Sequence, residues 1–384
     1  MRTPLTIVGN AVVAVFLLVD ASFGLADERL WLDAKINGKR ARLCFDSGSD
    51  SAVLFREAAQ RFGLKVFEAS TNVPVGSGEV LAGTTEACVL SLEGERGKAR
   101  FRVIDTPAYV SADCDGVVGW RNVRGNVLRI DAAAGRVTFL PKVPDQVSSW
   151  VRLAVFTNSD LLELEVARSD GSKGIVCVDT GTDMGVSLPT QQWQAWKAAH
   201  PHCPTTLKAF FTPADGVLAV EEAWATKFPF GPIVLSDVPI AEAAPVDAAL
   251  GSSRYEGTLG LAALKRIEVI VDRRQGVAYV RTKKTSPPPY RHNRLGAVFL
   301  PASAHGDALV ARVVEGSPAQ EAGVRTGDVL LEVDKKDVTK WSMDALRRFE
   351  MSPGTKVDLT LSRDGKTFKA TATLRQIIPP IDKE

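Results

Sequence analysis

Asp46-Ser47-Gly48 and Asp179-Thr180-Gly181 each place a carboxyl, a hydroxyl and a residue without a side chain in succession. A lone Asp-Ser/Thr-Gly is an Asx-turn whose acid caps its own backbone. Here the surroundings are duplicated as well: Leu43-Cys44-Phe45 precedes the first Asp and Val176-Cys177-Val178 the second, and Asp50 and Asp183 follow four residues on. Two carboxyls held a few ångströms apart cannot both ionise cheaply, so they share a proton and titrate as a coupled pair. The ionised member can draw a proton from water while the protonated member donates to a carbonyl. Gly48 and Gly181 let backbone approach each Asp without a Cβ in the way, and Ser47 and Thr180 supply hydroxyls to tie the turns together.

The elements around these turns repeat too. Asp115-Gly116-Val117-Val118-Gly119 is answered by Glu256-Gly257-Thr258-Leu259-Gly260, and both lead into a strand, a turn and another strand. Leu128-Arg129-Ile130-Asp131 with Gly135-Arg136-Val137-Thr138-Phe139 matches Val269-Ile270-Val271-Asp272 with Gly276-Val277-Ala278-Tyr279, at the same Asp-to-Gly spacing. A fixed internal match of this length is a duplicated structural unit.

At these residues the chain resembles the aspartic proteases, the retroviral type more than the large pepsin type, over about Leu30 to Val280. The resemblance implies a mainly β, bilobal acid-protease β-barrel fold, with an N-terminal lobe over 27–146 and a C-terminal lobe over 147–282. It implies an aspartic endopeptidase with Asp46 and Asp179 as its catalytic pair, acting on protein or peptide substrates with neither metal nor organic cofactor. Asp50 and Asp183 match a family position that binds substrate backbone. Pro74-Val75-Gly76-Ser77-Gly78-Glu79 reads as a flap, with Gly76 and Gly78 against substrate, and Asp215-Gly216 sits near the equivalent place in the second half. Arg121 lies one residue beyond the family's bracing arginine, and no residue of Leu261-Ala262-Ala263-Leu264-Lys265-Arg266 matches it closely. The alternative from another class is a catalytically silent peptide-binding scaffold.

Past Val280 the composition changes. A basic stretch and Pro287-Pro288-Pro289 read as a linker over 283–290, since consecutive prolines cannot join a sheet. Residues 291–378 resemble a PDZ domain of bacterial envelope proteases, an α+β unit, on Leu295-Gly296-Ala297-Val298, Glu315-Gly316-Ser317-Pro318-Ala319 and Gly327-Asp328-Val329-Leu330. Ser317 before Pro318 reads as a helix N-cap with proline in the first turn, and Gly323 as the stop. A second helix is expected over Ser342 to Phe349. The resemblance implies that C-terminal peptides add as a strand beside Ala297-Val298, the carboxylate held by amides of the Leu295, Gly296 and Ala297 loop. Such a unit would recognise substrate or regulate the cleft.

Net charge is only +2 and no basic patch is interleaved with aromatics, which argues against nucleic acid as a partner. Arg2, the apolar Leu5 to Val19 stretch and Gly24-Leu25-Ala26 predict a signal peptide over 1–26 and an exported chain, periplasmic or secreted, with membrane attachment only if that segment is retained. Of five cysteines, Cys44 and Cys177 sit two residues before each Asp and read as small buried apolar groups, while Cys88, Cys114 and Cys203 could contain a bridge. His200-Pro201-His202-Cys203 has no complementary ligand cluster and reads as a loop of incidental donors. Neither a Gly-x-Ser-x-Gly elbow nor a phosphate loop is present.

Overall fold

The computed structural model describes residues 29–68, 74–75, 78–79, 81–105, 114–123, 127–168, 170–212, 216–243, 255–284, 290–302, 308–339, 341–352 and 354–378. The segment 1–26 expected to be a signal peptide, Gly76 of the expected flap and Pro287, Pro288 and Pro289 lie outside them. The protein is mainly β: among the described residues the strands form sheets of fourteen, seven, six and two strands. Among those residues no helix is long and apolar enough to cross a membrane.

Each acidic turn ends a strand that is buried on both faces, as a central strand must be. Strand Lys39–Asp46 finishes in four consecutive buried residues, and Lys173–Val178 in three. Their neighbours match. Lys39–Asp46 pairs antiparallel with Trp31–Ile36 and parallel with Gly116–Gly119; Lys173–Val178 pairs antiparallel with Glu163–Ala167 and parallel with Tyr255–Leu259. After each turn comes a short strand, Ala52–Phe55 or Val186–Leu188, running antiparallel to the Gly116–Gly119 or Tyr255–Leu259 strand. A helix follows in both copies, Arg56–Arg61 and Thr190–Ala199.

The two halves are joined by backbone. Val127–Asp131 of the first pairs antiparallel with Ile267–Asp272 of the second, with Ile130 opposite Val269, so one sheet runs beneath both. Leu43, Phe45, Val118, Val176, Val178 and Leu259 belong to one continuous apolar core. Burial of that core at about 25 cal/mol per Å² of apolar surface is what fixes the register of the strands carrying the acids.

Hairpins extend from both halves. In the first, Val66–Glu68 pairs with Leu81–Thr85, and further out Val75 pairs with Gly78, so the segment expected to form a flap is a two-stranded ribbon. In the second, Thr206–Thr212 pairs with the start of Gly216–Phe230, Thr206 opposite Glu222. The 206–222 hairpin follows the helix just as 66–85 does, which makes it the second-half counterpart that Asp215-Gly216 only hinted at.

Residues beyond 290 have their own core, centred on Leu295, Phe299, Leu330, Leu346, Leu359 and Leu374. Ser317 caps helix Pro318–Glu321 by accepting from Gln320 N at 3.3 Å, and Ser342 caps helix Met343–Glu350 by accepting from Ala345 N at 3.3 Å. Gly323 takes φ +90°, the left-handed conformation that ends a helix without a Cβ penalty.

Candidate active site

Asp46 and Asp179 are 0% and 3% exposed, each at the mouth of its strand. Each carboxylate is first held within its own turn: Gly48 N donates to Asp46 Oδ1 at 2.9 Å and Gly181 N to Asp179 Oδ1 at 2.8 Å. The hydroxyl residues then cross over. Ser47 N donates to Thr180 Oγ1 at 2.9 Å, and Thr180 N donates to Ser47 Oγ at 3.0 Å. Ser47 Oγ donates to Val178 O at 2.6 Å while Thr180 Oγ1 donates to Phe45 O at 2.9 Å. All four bonds span the two halves, so neither turn is complete alone.

The glycines show how close the carboxylates lie. A Cβ built on Gly48 would fall 2.5 Å from Asp179 Cγ, and one on Gly181 would fall 2.5 Å from Asp46 Cγ. Real Cβ atoms do not approach that closely, so each glycine is required by the acid of the opposite half. The result is two carboxyls facing one another across an approximate two-fold axis, each fed by an amide and each walled by the other's turn.

A second layer fixes these turns. Gly119 N donates to Ser51 O at 3.0 Å and Trp120 N to Ser49 O at 2.9 Å. In the other half, Gly260 N donates to Gly185 O at 2.8 Å and Leu261 N to Thr182 O at 2.9 Å. The paired acids Asp115 and Glu256 serve their lobes as ion-pair partners, of Arg61 and Arg168 respectively. Arg121 points outward to Asp160 at 3.5 Å. The brace is supplied elsewhere: Arg273 donates to Trp120 O at 3.2 Å with its guanidinium 4.9 Å above the Trp120 ring. Arg266, buried and pushed down to about 10 by desolvation, donates to the carbonyls of Ser236, Asp237 and Ala262.

The two outer acids differ. Asp50 accepts from Ser51 Oγ and lies 3.6 Å from Arg102 at the edge of its turn. Contrary to the expectation of a substrate-binding acid, Asp183 is fully enclosed, 3.0 Å from Lys208 Nζ and hydrogen-bonded by Arg347 from the C-terminal unit, so its oxygens are taken by these cations rather than offered to a substrate backbone. Burial alone would push its carboxyl up, but the Arg347 and Lys208 charges hold it well below the usual carboxylate range. Sequence reasoning missed Lys208, Arg273 and Arg347, because each acts through a contact far away in the chain.

At the loop expected to hold a peptide carboxylate, the amides of Leu295 and Gly296 both donate to Asn293 Oδ1, at 2.9 and 3.0 Å. Asn293 Nδ2 donates to Ala297 O at 2.8 Å, so this side chain itself fills the nest of the Leu295, Gly296 and Ala297 loop. Gly78 pairs with Val75 in the short two-stranded ribbon. All five cysteines are free thiols. The thiol of Cys44 is pushed well above its ordinary value by the neighbouring Cys114 thiol and by burial. His200 stacks on Trp196, with ring centroids 4.3 Å apart. Among the described residues no three His, Cys, Asp or Glu side chains are grouped to hold a metal ion.

Comparison with known proteins divides the chain in the same way. Residues 32–121 match the family model described as aspartyl protease, and residues 309–363 match that of the PDZ domain. A probable periplasmic serine endoprotease DegP-like of Chlamydia trachomatis is 46% identical over 72 residues, 18% of this chain and 14% of that protein. The Chlamydia muridarum protein of the same description is 39% identical over 87 residues, 22% of this chain and 17% of its own length. The periplasmic pH-dependent serine endoprotease DegQ of Escherichia coli is 36% identical over 67 residues, 17% of this chain and 15% of that protein. The chain thus spans less than a fifth of each of these relatives.

Proposed function

We propose that this chain is an exported aspartic endopeptidase, with lobes over 27–146 and 147–282, a linker over 283–290 and a PDZ domain over 291–378. Asp46 and Asp179 share one proton; the ionised member activates water while the protonated member polarises the scissile carbonyl. The observation that carries this reading is the reciprocal packing of Gly48 on Asp179 and Gly181 on Asp46, cross-tied by Ser47 and Thr180. An Asx-turn that only caps its own backbone has no need of a carboxyl from the opposite lobe. The aspartyl-protease match and the resemblance of a PDZ-sized stretch to periplasmic proteases support the same activity and an envelope location. Those relatives are serine endoproteases by description, so the likeness to them speaks for the compartment and the PDZ domain rather than for the nucleophile.

Substrate lies extended between the turns and the 66–85 hairpin, against Asp50, Gly76 and Gly78, and a C-terminal peptide taken by the PDZ domain must displace Asn293 from the Leu295 and Gly296 amides. The test compares the full chain with Asp46→Asn and Asp179→Asn on fluorescently labelled casein from pH 3 to 8. Loss of cleavage by roughly three orders of magnitude in each folded variant is expected, because members of one catalytic unit fail together. A folded parent that cleaves nothing would point instead to the silent peptide-binding scaffold.

A further inference from the structure

Helix Met343–Glu350 turns an arginine into the protein. Arg347 is 2% exposed and donates to Asp183 Oδ2, while Lys208 Nζ approaches the other oxygen. A surface arginine ordinarily keeps its head in water, and burial of charge is tolerated only with close partners. Asp183 is four residues beyond Asp179, and the intervening chain is tightly engaged. Thr182 O accepts from Leu261 N, and a Cβ on Gly260 would lie 2.8 Å from Thr182 Cγ2. Met184 packs with Phe210, Val220 and Ala241 beneath the 206–222 hairpin.

Lys208 stands on that same hairpin, so one carboxylate ties together the second acidic turn, the second hairpin and the C-terminal domain. The contact is broad. Thr206 Oγ1 donates to Asn293 O at 2.8 Å, Lys208 Nζ donates to Tyr290 Oη at 2.8 Å, and Tyr290 Oη donates to Glu222. Strand Ala297–Pro301 and helix Met343–Glu350, the two walls of the PDZ groove, both pack against Thr206–Thr212.

We propose that Arg347 is a positioning residue of the active site, supplied by the PDZ domain: by holding Asp183 against Lys208 it sets the 179–184 segment and hence the second carboxyl. This rests on the reading of Asp46 and Asp179 as the catalytic pair. Without Arg347 the buried Asp183 carboxylate faces a single cation, and it either draws in water or takes a proton. Either change shifts the segment that spaces Asp179 from the hairpin, and a displacement of that kind next to the reacting atoms is costly. Lys208 and Arg347 meet Asp183 directly and Glu222 lies within electrostatic reach of it, Tyr290 bonds to Lys208 and Glu222, and Arg291, His292 and Glu350 line the small cavity beside Lys208 and Arg347.

The test uses the full chain with Arg347→Met, Arg347→Lys and, as a control on an exposed neighbour, Arg348→Met, each checked by circular dichroism and thermal unfolding. Casein cleavage is resolved into kcat and KM across pH. Arg347→Met is expected to lower kcat about tenfold or more with KM changed little, and to move the acid limb of the kcat profile upward as Asp183 begins to protonate. Arg347→Lys keeps the buried positive charge and restores kcat to within about threefold, and Arg348→Met behaves as the parent. Should Arg347→Met fail to fold, Arg347→Gln takes its place with the same expectation. A folded variant with parental kcat, KM and pH profile overturns the proposal while leaving the catalytic pair intact. A parent as inactive as its Asp46→Asn variant overturns the catalytic reading, and this inference with it.

Discussion

The two lobes build the same turn and support it differently. Within each tripeptide the hydrogen bonds correspond one to one and differ by no more than 0.3 Å. One shell out the likeness ends: Asp50 rests beside a partly exposed Arg102, whereas Asp183 is sealed between Lys208 and an arginine from another domain. The 66–85 hairpin belongs to its lobe, and the 206–222 hairpin packs against the PDZ domain. Only the hydrogen bonds next to the two carboxyls are symmetric. The contacts beyond them differ, and in the second lobe they are where the C-terminal domain attaches.

The symmetric part is the most sensitive. Gly48→Ala and Gly181→Ala should be equally harmful, since each Cβ would meet the opposite carboxylate at 2.5 Å. Cleavage of casein is expected to fall by about a hundredfold in both, the scale of an ångström's misplacement of a reacting group, with an overpacking cost of roughly 1–3 kcal/mol in urea unfolding. A variant pair differing by more than tenfold would show that the carboxyls are not equivalent in their surroundings.

How much of this was legible beforehand follows the same division. The turns could be read because the carboxyl, hydroxyl and glycine are consecutive, and Gly116–Gly119 with Tyr255–Leu259 because the duplication repeats its strand-forming pattern. The caps at Ser317 and Ser342 are local, and the sequence pattern predicts the first of them outright. Arg347 lies 164 residues from the acid it holds, and nothing in Met343–Glu350 distinguishes it from Arg348 until packing decides which one faces inward. Asp183 resembles Asp50 in sequence for the same reason: the motif records spacing, while Lys208 and Arg347 are brought to it by the fold. Arg121 occupied nearly the right place in the chain, yet the brace comes from Arg273, which arrives at Trp120 from the other lobe.

The outer acids give a sharper contrast at smaller magnitude. Asp183→Asn breaks a buried ion cluster and should cost about 3 kcal/mol; Asp50→Asn removes a long, partly exposed pair and should cost under about 1 kcal/mol. The pH dependence separates them further. Asp183 is held below its unfolded value, so its contribution is present above about pH 4 and is lost as pH falls through its folded value. The parent should therefore lose stability on acidification more steeply than Asp183→Asn, as read by urea midpoints between pH 5 and 2. Equal slopes in the two proteins would mean that Asp183 has no ionic role and that the lobes differ only in burial.

Glu350 tests the same interface from the other side with the smallest effect. It is buried one helical turn beyond Arg347, and desolvation pushes its carboxyl well above the ordinary range although Arg347 pulls it down. An acid raised on folding prefers its neutral form in the native state, so the stability it permits is complete below its unfolded value near pH 4 and declines as pH rises toward the folded value. Glu350→Gln keeps the shape and removes that titration. The melting temperature of the variant should equal the parent's near pH 4 and exceed it at pH 7 to 8, opposite in sign to the response of Asp183→Asn. Superimposable melting curves across this range would mean that Glu350 stays ionised in the folded protein. The PDZ contact would then carry a second anion to balance Arg347 and Lys208.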